Sequence, residues 1–348
     1  MKNVATSNTS AAPFRHRIDK GLLEKEINFV DRRLDRDDVA GMLEEDLRGY
    51  FPNPAATLDE LLFTGGFTSY EGDRAKLLAD LEKRGSMHFL VLSYLGKMQS
   101  ALKSPHRNPD LSSIAFLNRL NYFAKTAERI TGIDTKVTIA AENKAFDISI
   151  FCTGKDSSET MLEQTRKLMK DFGLDNVRVE PLEKFLGGDA YYEEFESELK
   201  KEKSDPENVK SENFRHVFDI FYTLYPVSAF EDGVKLYTSD TESAKISEWT
   251  TESVLRYSAF HEARAKRDFW GGNPQYVRSS VSSRPNVLVF QYGPGRVSPF
   301  NGVSTINGKE IGTEYFSDLV SDTSAGTAEF TRLTYENKPF CFDTGEQQ

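Results

Sequence analysis

Lys136-Val-Thr-Ile-Ala140 and Val177-Arg-Val179 bracket the stretch that decides the fold. Both are short β-branched runs of the kind that read as strands. Between them lie Ala141-Glu142-Asn143-Lys144, with turn composition, and a further strand expected at Asp147-Ile-Ser-Ile-Phe151. Ser157-Ser-Glu-Thr then offers an N-cap. Met161, Leu162, Thr165, Leu168, Met169 and Phe172 follow at helical spacing, and Gly173 stands where a C′ glycine belongs. Upstream, His88-Phe-Leu-Val-Leu-Ser93 reads as a strand, and Pro109-Asp110 leads into a helix with Ile114, Leu117, Leu120, Ala124 and Ala127 on one face. Strands alternating with amphipathic helices predict the α/β class, a parallel or mixed sheet covered by helices.

Further outward the pattern changes. Phe214 to Tyr225 reads as a helix with Val217, Phe218, Phe221 and Tyr225 as its core stripe, and another helix is expected around Glu252–Arg267. Strand and tight-turn material follows: Trp270-Gly-Gly-Asn-Pro274, Tyr276-Val-Arg-Ser-Ser-Val-Ser282, Asn286-Val-Leu-Val-Phe-Gln291 and Gly293-Pro-Gly-Arg296. With 348 residues the chain has room for about two domains. The expected organisation is a helical N-terminal extension over 1–75, a Rossmann-like core sheet with flanking helices over 76–235, and a smaller C-terminal α+β part over 236–348 that completes a cleft.

Composition excludes several classes. Lys and Arg number 44 against 54 Asp and Glu, a net charge of −10, which argues against a nucleic-acid binder with a basic face. No apolar run is long enough to span a membrane, and the first twenty residues carry no apolar signal core, so a cytoplasmic location is expected. Two distant cysteines, Cys152 and Cys341, make neither a disulfide framework nor a thiolate metal site. The charge is uneven. Residues 36–60 and 187–212 each net −5 and read as peripheral, the second as a solvated helix at a boundary, whereas residues 261–296 net +4.

Generic motifs give no reaction. His261-Glu-Ala-Arg-Ala lacks the second histidine of a zinc-protease helix, and the five histidines never pair at i, i+4. The Gly-Gly and Gly-Pro-Gly sites are not phosphate-binding fingerprints, and no nucleophile elbow is present.

Four segments, in order, are similar to the isocyanide (isonitrile) synthase family, also called the pyoverdine/dityrosine biosynthesis proteins. The family's Phe-Pro-x-Lys-Ser turn after its opening strand corresponds to Leu92-Ser-Tyr-Leu-Gly-Lys97, with Pro109-Asp110 beyond it. Its Ser-Asp-Gly-x-Val-Phe turn corresponds to Ala141-Glu142-Asn143-Lys-Ala-Phe146, which keeps a carboxylate. Its Arg-x-Ser-x-His strand reads Arg278-Ser-Ser280-Val-Ser282, and its Thr-Pro-Trp-His-Gly reads Ser298-Pro-Phe-Asn301-Gly302. The resemblance covers about residues 80–310. Both family histidines are replaced, by Ser282 and Asn301, neither of which titrates near neutral pH.

The resemblance implies a carbon–carbon lyase-type isonitrile synthase. It joins the amine of an aromatic amino acid to the ketone carbon of ribulose 5-phosphate, fragments the sugar and leaves its carbon as the end of N≡C. No cofactor is implied, ribulose 5-phosphate being the co-substrate, and a pathway iron/2-oxoglutarate oxygenase is an expected partner. Such chemistry needs cations for phosphate and carboxylate, acid–base groups and an apolar slot. The residues assigned to catalysis are Lys97, Glu142, Ser282 and Asn301. Those assigned to substrate binding are Arg278, Ser280, Phe300 and Arg296. Glu142 at a strand turn serves equally as a solvated residue, Lys97 as a surface lysine, and Phe300 as core. The replaced histidines keep two other outcomes open: an altered reaction such as N-formylation or use of another amine, and a non-catalytic binder of a small molecule or partner.

Overall fold

The computed structural model describes residues 26–345, apart from 52–56, 64–65, 94, 96–103, 105, 107, 143–156, 206, 223–226, 231–232, 237–239, 282–284, 293–296, 301 and 322–326. In chain order its elements begin with β1 (Glu26–Arg33), α1 (Arg36–Tyr50), α2 (Leu58–Phe63), β2 (Thr68–Tyr70), α3 (Arg74–Glu82) and β3 (Ser86–Ser93). Next come α4 (Leu111–Thr131), β4 (Asp134–Ala141), α5 (Ser157–Asp171), β5 (Val177–Pro181), α6 (Asp189–Ser204), α7 (Glu212–Tyr222), β6 (Val227–Phe230) and β7 (Gly233–Leu236). The last are α8 (Asp240–Lys266), β8 (Val277–Ser280), β9 (Leu288–Phe290), β10 (Val303–Asn307), β11 (Glu310–Glu314), α9 (Phe316–Ser321), β12 (Thr327–Tyr335) and β13 (Lys338–Asp343).

One sheet has the order β2-β9-β8-β3-β4-β5, parallel throughout except for β2, which runs antiparallel to β9 at the edge. The α/β class and the parallel sheet are as expected. Its strands are buried on both faces, which is why they read as continuous apolar runs. Phe89 and Val91 face one core, while Leu90 and Ala140 face another formed with Tyr191, Phe195 and Leu199 of α6 and Ala259 and Ala263 of α8.

A second sheet, β1-β12-β13-β10-β11, is mixed. Side chains alternate across it as a two-residue period requires: Ile306, Leu333 and Cys341 join the main core, and Val303, Phe330 and Phe342 pack under α9. Helix α4 lies between the two sheets, against β4 and β5 on one side and β10, β11 and β13 on the other. That placement explains why Ile114, Phe116, Leu117, Leu120, Phe123 and Ala124 are all buried around its circumference. The expected C′ glycine of α5 is present, while the turns expected at 141–144 and 293–296 fall wholly or partly outside the described residues. Gly173 adopts φ +66, with Leu174 N–H donating to Met169 O and Gly173 N–H to Lys170 O, closing α5 by a Schellman motif.

Three expectations need correction. Residues 26–75 are not a helical extension, because β1 pairs in parallel with β12 from Glu26 to Arg33 and β2 completes the first sheet. No division falls at residue 235, since β8 returns from the C-terminal third to sit beside β3. The acidic α6 is not peripheral: Tyr191, Phe195 and Leu199, spaced by four, bury one stripe against α8, and Glu194 and Glu198 both pair with Lys266. The expected strand at 147–151 lies outside the described residues.

Candidate active site

After β3 the chain moves to β4 on one side, and the later β8 pairs on the other. Strand order therefore reverses at β3, and the crevice outside the carboxyl ends of strands at such a point is where open α/β sheets bind ligands. A cavity of about 220 Å³ lies there. Leu92 of β3, Glu142 immediately after β4, and Arg278, Ser279 and Ser280 of β8 supply its floor. Helix α8 supplies the opposite wall with Tyr257, Phe260, His261 and Arg264, whose spacings of three and four put them on one helical face.

Arg264 is the hub of the wall. Its Nη1 donates to Glu142 Oε1 in a short ion pair, and its Nη2 lies 2.9 Å from His261 Nδ1. A guanidinium can only donate, so His261 Nδ1 is the acceptor and the neutral ring carries its proton on Nε2. That Nε2 is buried and has no hydrogen-bond partner among the described residues. Burial, followed by the Arg264 charge, pushes the His261 pKa down to about 4, so the imidazole is neutral at pH 7. Burial also raises the phenols of Tyr257 and Tyr191, which therefore stay protonated.

Across the cavity, the Arg278 guanidinium stacks 5.0 Å from the centre of the Trp270 ring. No carboxylate among the described residues pairs with it. Among the described residues the cavity thus carries one charge pair, Glu142 with Arg264, and one cation without a carboxylate partner, Arg278. Ser280 is 9% exposed and lies two residues along β8 from Arg278, on the same side of the strand.

Of the residues assigned from sequence, Glu142, Arg278 and Ser280 meet at this cavity, although 136 positions separate the first two. Phe300 does not line it. The ring is 2% exposed and packs edge-on against Phe116 and Tyr292 in the main core, so its assignment as a substrate slot is corrected to a core role. Next to it, Gly302 is required by packing, because a Cβ there would stand 2.3 Å from the Glu314 carbonyl oxygen. Lys97, Ser282, Arg296 and Asn301 lie outside the described residues.

The basic zone at 261–296 also divides. Arg264 and Arg278 face the cavity, whereas Lys266 pairs with Glu194 and Glu198, and Arg267 donates to the Ala190 carbonyl. Sequence reasoning missed His261, Arg264, Tyr257 and Trp270. The available signal was the helical spacing Tyr257–His261–Arg264 leading into that basic zone; a search for a second histidine passes over it.

No protein-family model matches the chain, and no curated protein sequence matches it. No helix among the described residues is long and apolar enough to cross a membrane. Among solved structures, the crystal structure of the PvcA (PA2254) protein from Pseudomonas aeruginosa is similar, with a TM-score of 0.54 and 13% sequence identity. The match covers 82% of this chain and 97% of that one. At such identity the likeness is one of fold alone, an α/β fold that this chain shares with that protein.

Proposed function

We propose that this chain is an isonitrile-synthase-type enzyme that joins the amino group of an aromatic amino acid to ribulose 5-phosphate. The observation that carries the reading is the cavity at the strand-order reversal, where Arg278 on Trp270, with no carboxylate partner among the described residues, faces the Glu142–Arg264 pair. A sugar phosphate needs a cation not already neutralised, and Arg278 meets that need with a planar fork of donors. Imine formation needs an amine freed of its extra proton, and the Glu142 carboxylate is in reach of the same space to accept it. The aromatic walls from Tyr257, Phe260 and Trp270 suit an aromatic side chain. The reading calls for no metal.

The test is incubation with tyrosine or tryptophan plus ribulose 5-phosphate, reading isonitrile by mass and by infrared absorption. Product that disappears in Arg278→Ala supports the reading. No product and no binding of either compound contradicts it.

A second reading is favoured by one observation, the replacement of both family histidines by Ser282 and Asn301. In it the chain either reaches another outcome, such as N-formylation or use of a different amine, or binds without turnover. The double variant Ser282→His, Asn301→His separates the cases. Isonitrile formation only in that variant identifies the natural chain as a binder, and formylated product from the natural chain identifies a changed reaction.

A further inference from the structure

We propose that the Glu142–Arg264 pair is the receptor for the α-amino and α-carboxylate groups of an amino-acid substrate, with His261 as the positioning residue that holds Arg264. This rests on the reading above and assigns a place to one of its two substrates. An amino-acid head group is a pair of opposite charges on one carbon. Its complement is a pair of opposite charges set in a cavity wall, and Glu142 with Arg264 is such a pair.

The donor count fits. Arg264 has five N–H groups. Glu142 takes one from Nη1 and His261 Nδ1 takes one from Nη2, and the rest have no partner among the described residues. A carboxylate accepts two such donors side by side. The charge balance separates the two substrates. A phosphate dianion at Arg264 would stand against the Glu142 carboxylate, whereas an α-carboxylate brings its own ammonium to face Glu142. The phosphate therefore goes to Arg278, which has no carboxylate partner among the described residues.

His261 completes the arrangement by being uncharged. Its Nδ1 accepts from Arg264, which fixes the guanidinium without adding a charge of either sign. The ionisable groups around it are Arg264 and Tyr257 on its own helix, Glu142 beyond β4, Arg278 on β8 and Tyr191 on α6. Only Glu142 among them supplies a negative charge, and it is already engaged with Arg264.

Calorimetric titration of the whole chain with tyrosine, tyramine and 3-(4-hydroxyphenyl)propionate tests this, with tryptophan and its two counterparts in parallel. The amino acid is expected to bind at least about tenfold more tightly than the compound lacking either charged group. Arg264→Met should erase the preference for tyrosine over tyramine, and Glu142→Gln the preference over the deaminated acid. His261→Gln, which keeps a neutral acceptor, should hold tyrosine affinity within about threefold. His261→Phe should weaken tyrosine while leaving tyramine unchanged, a split that a purely structural role does not produce.

Each charge-removing single variant leaves its partner's partly buried charge uncompensated, so the double variant Glu142→Gln, Arg264→Met serves as the folding control. It should bind ribulose 5-phosphate as the natural chain does and no longer prefer tyrosine. Equal loss of tyrosine and tyramine in Arg264→Met overturns the inference, as does a double variant that binds tyrosine unchanged. A natural chain that binds ribulose 5-phosphate through Arg278 but no amino acid overturns this inference alone. Binding of neither compound overturns the broader reading with it.

Discussion

His261 shows how one side chain's surroundings set its chemistry. Burial and the Arg264 charge hold its pKa near 4, against 6.5 for an exposed imidazole. The folded pKa is depressed, so between pH 6.5 and 4 the unfolded chain binds a proton that the folded chain does not. Stability from this site is therefore complete above pH 6.5 and lost as pH falls toward 4, by at most about 3 kcal/mol before allowance for partial solvent screening. Urea unfolding midpoints measured from pH 7 to pH 4 should fall less steeply for His261→Gln than for the natural chain. Parallel slopes would show that the ring is not held neutral. The sequence displays this histidine plainly, but its partner stands at i+3 and is an arginine, which no metal-site pattern contains. By contrast Arg278 and Ser280 were legible, because both belong to one short strand motif. Phe300 belongs to a legible motif too, yet a motif does not say which way an aromatic ring faces, and this one faces the core.

Among the elements, α4 is the one that ties the molecule together. Its N-cap, Asp110, is fully buried and accepts from the Ser113 backbone N–H at 3.1 Å, the Ser113 hydroxyl at 2.9 Å and the Ser112 hydroxyl at 3.1 Å. The other carboxylate oxygen accepts from the Ser304 backbone N–H of β10 at 2.9 Å. One carboxylate thus caps the helix and fastens it to the second sheet. Asp110→Ala should cost about 3 kcal/mol or more, since it removes a cap and leaves several buried donors unpaired, and Asp110→Asn should cost less. Denaturant unfolding would check both, and a loss under 1 kcal/mol for the alanine variant would refute the clamp. The cap was readable from Pro109-Asp110 and the apolar period after it. Its grip on Ser304 was not, because 194 residues separate the two. Helix α6 repeats the lesson: its acidic composition suggested a solvated helix, while its Tyr191–Phe195–Leu199 stripe acquires meaning only once α8 is known to lie against it.

At the scale of the whole molecule, strands from residues 68 to 290 share one sheet, and the main hydrophobic core draws on residues from Leu34 to Cys341. One cooperative unfolding transition is expected, with fluorescence and circular dichroism curves that coincide; two separated transitions would restore the division at residue 235. The parallel β3-β4-β5 run was legible from alternating strand and helix patterns. The return of β8 beside β3 was not, since no local signal states which strand a later one will pair with. That return creates the reversal of strand order and with it the cavity. It also gives the net charge of −10 its proper reading: acidic α6 is neutralised in part by Lys266 of α8, while Arg278 at the cavity has no carboxylate partner among the described residues. The most direct test is a crystal structure of the chain soaked with ribulose 5-phosphate. The phosphate should lie within hydrogen-bonding distance of Arg278, in the space between Trp270 and the Glu142–Arg264 pair. A sugar phosphate bound elsewhere on the molecule, with this cavity empty, would contradict the assignment of the site.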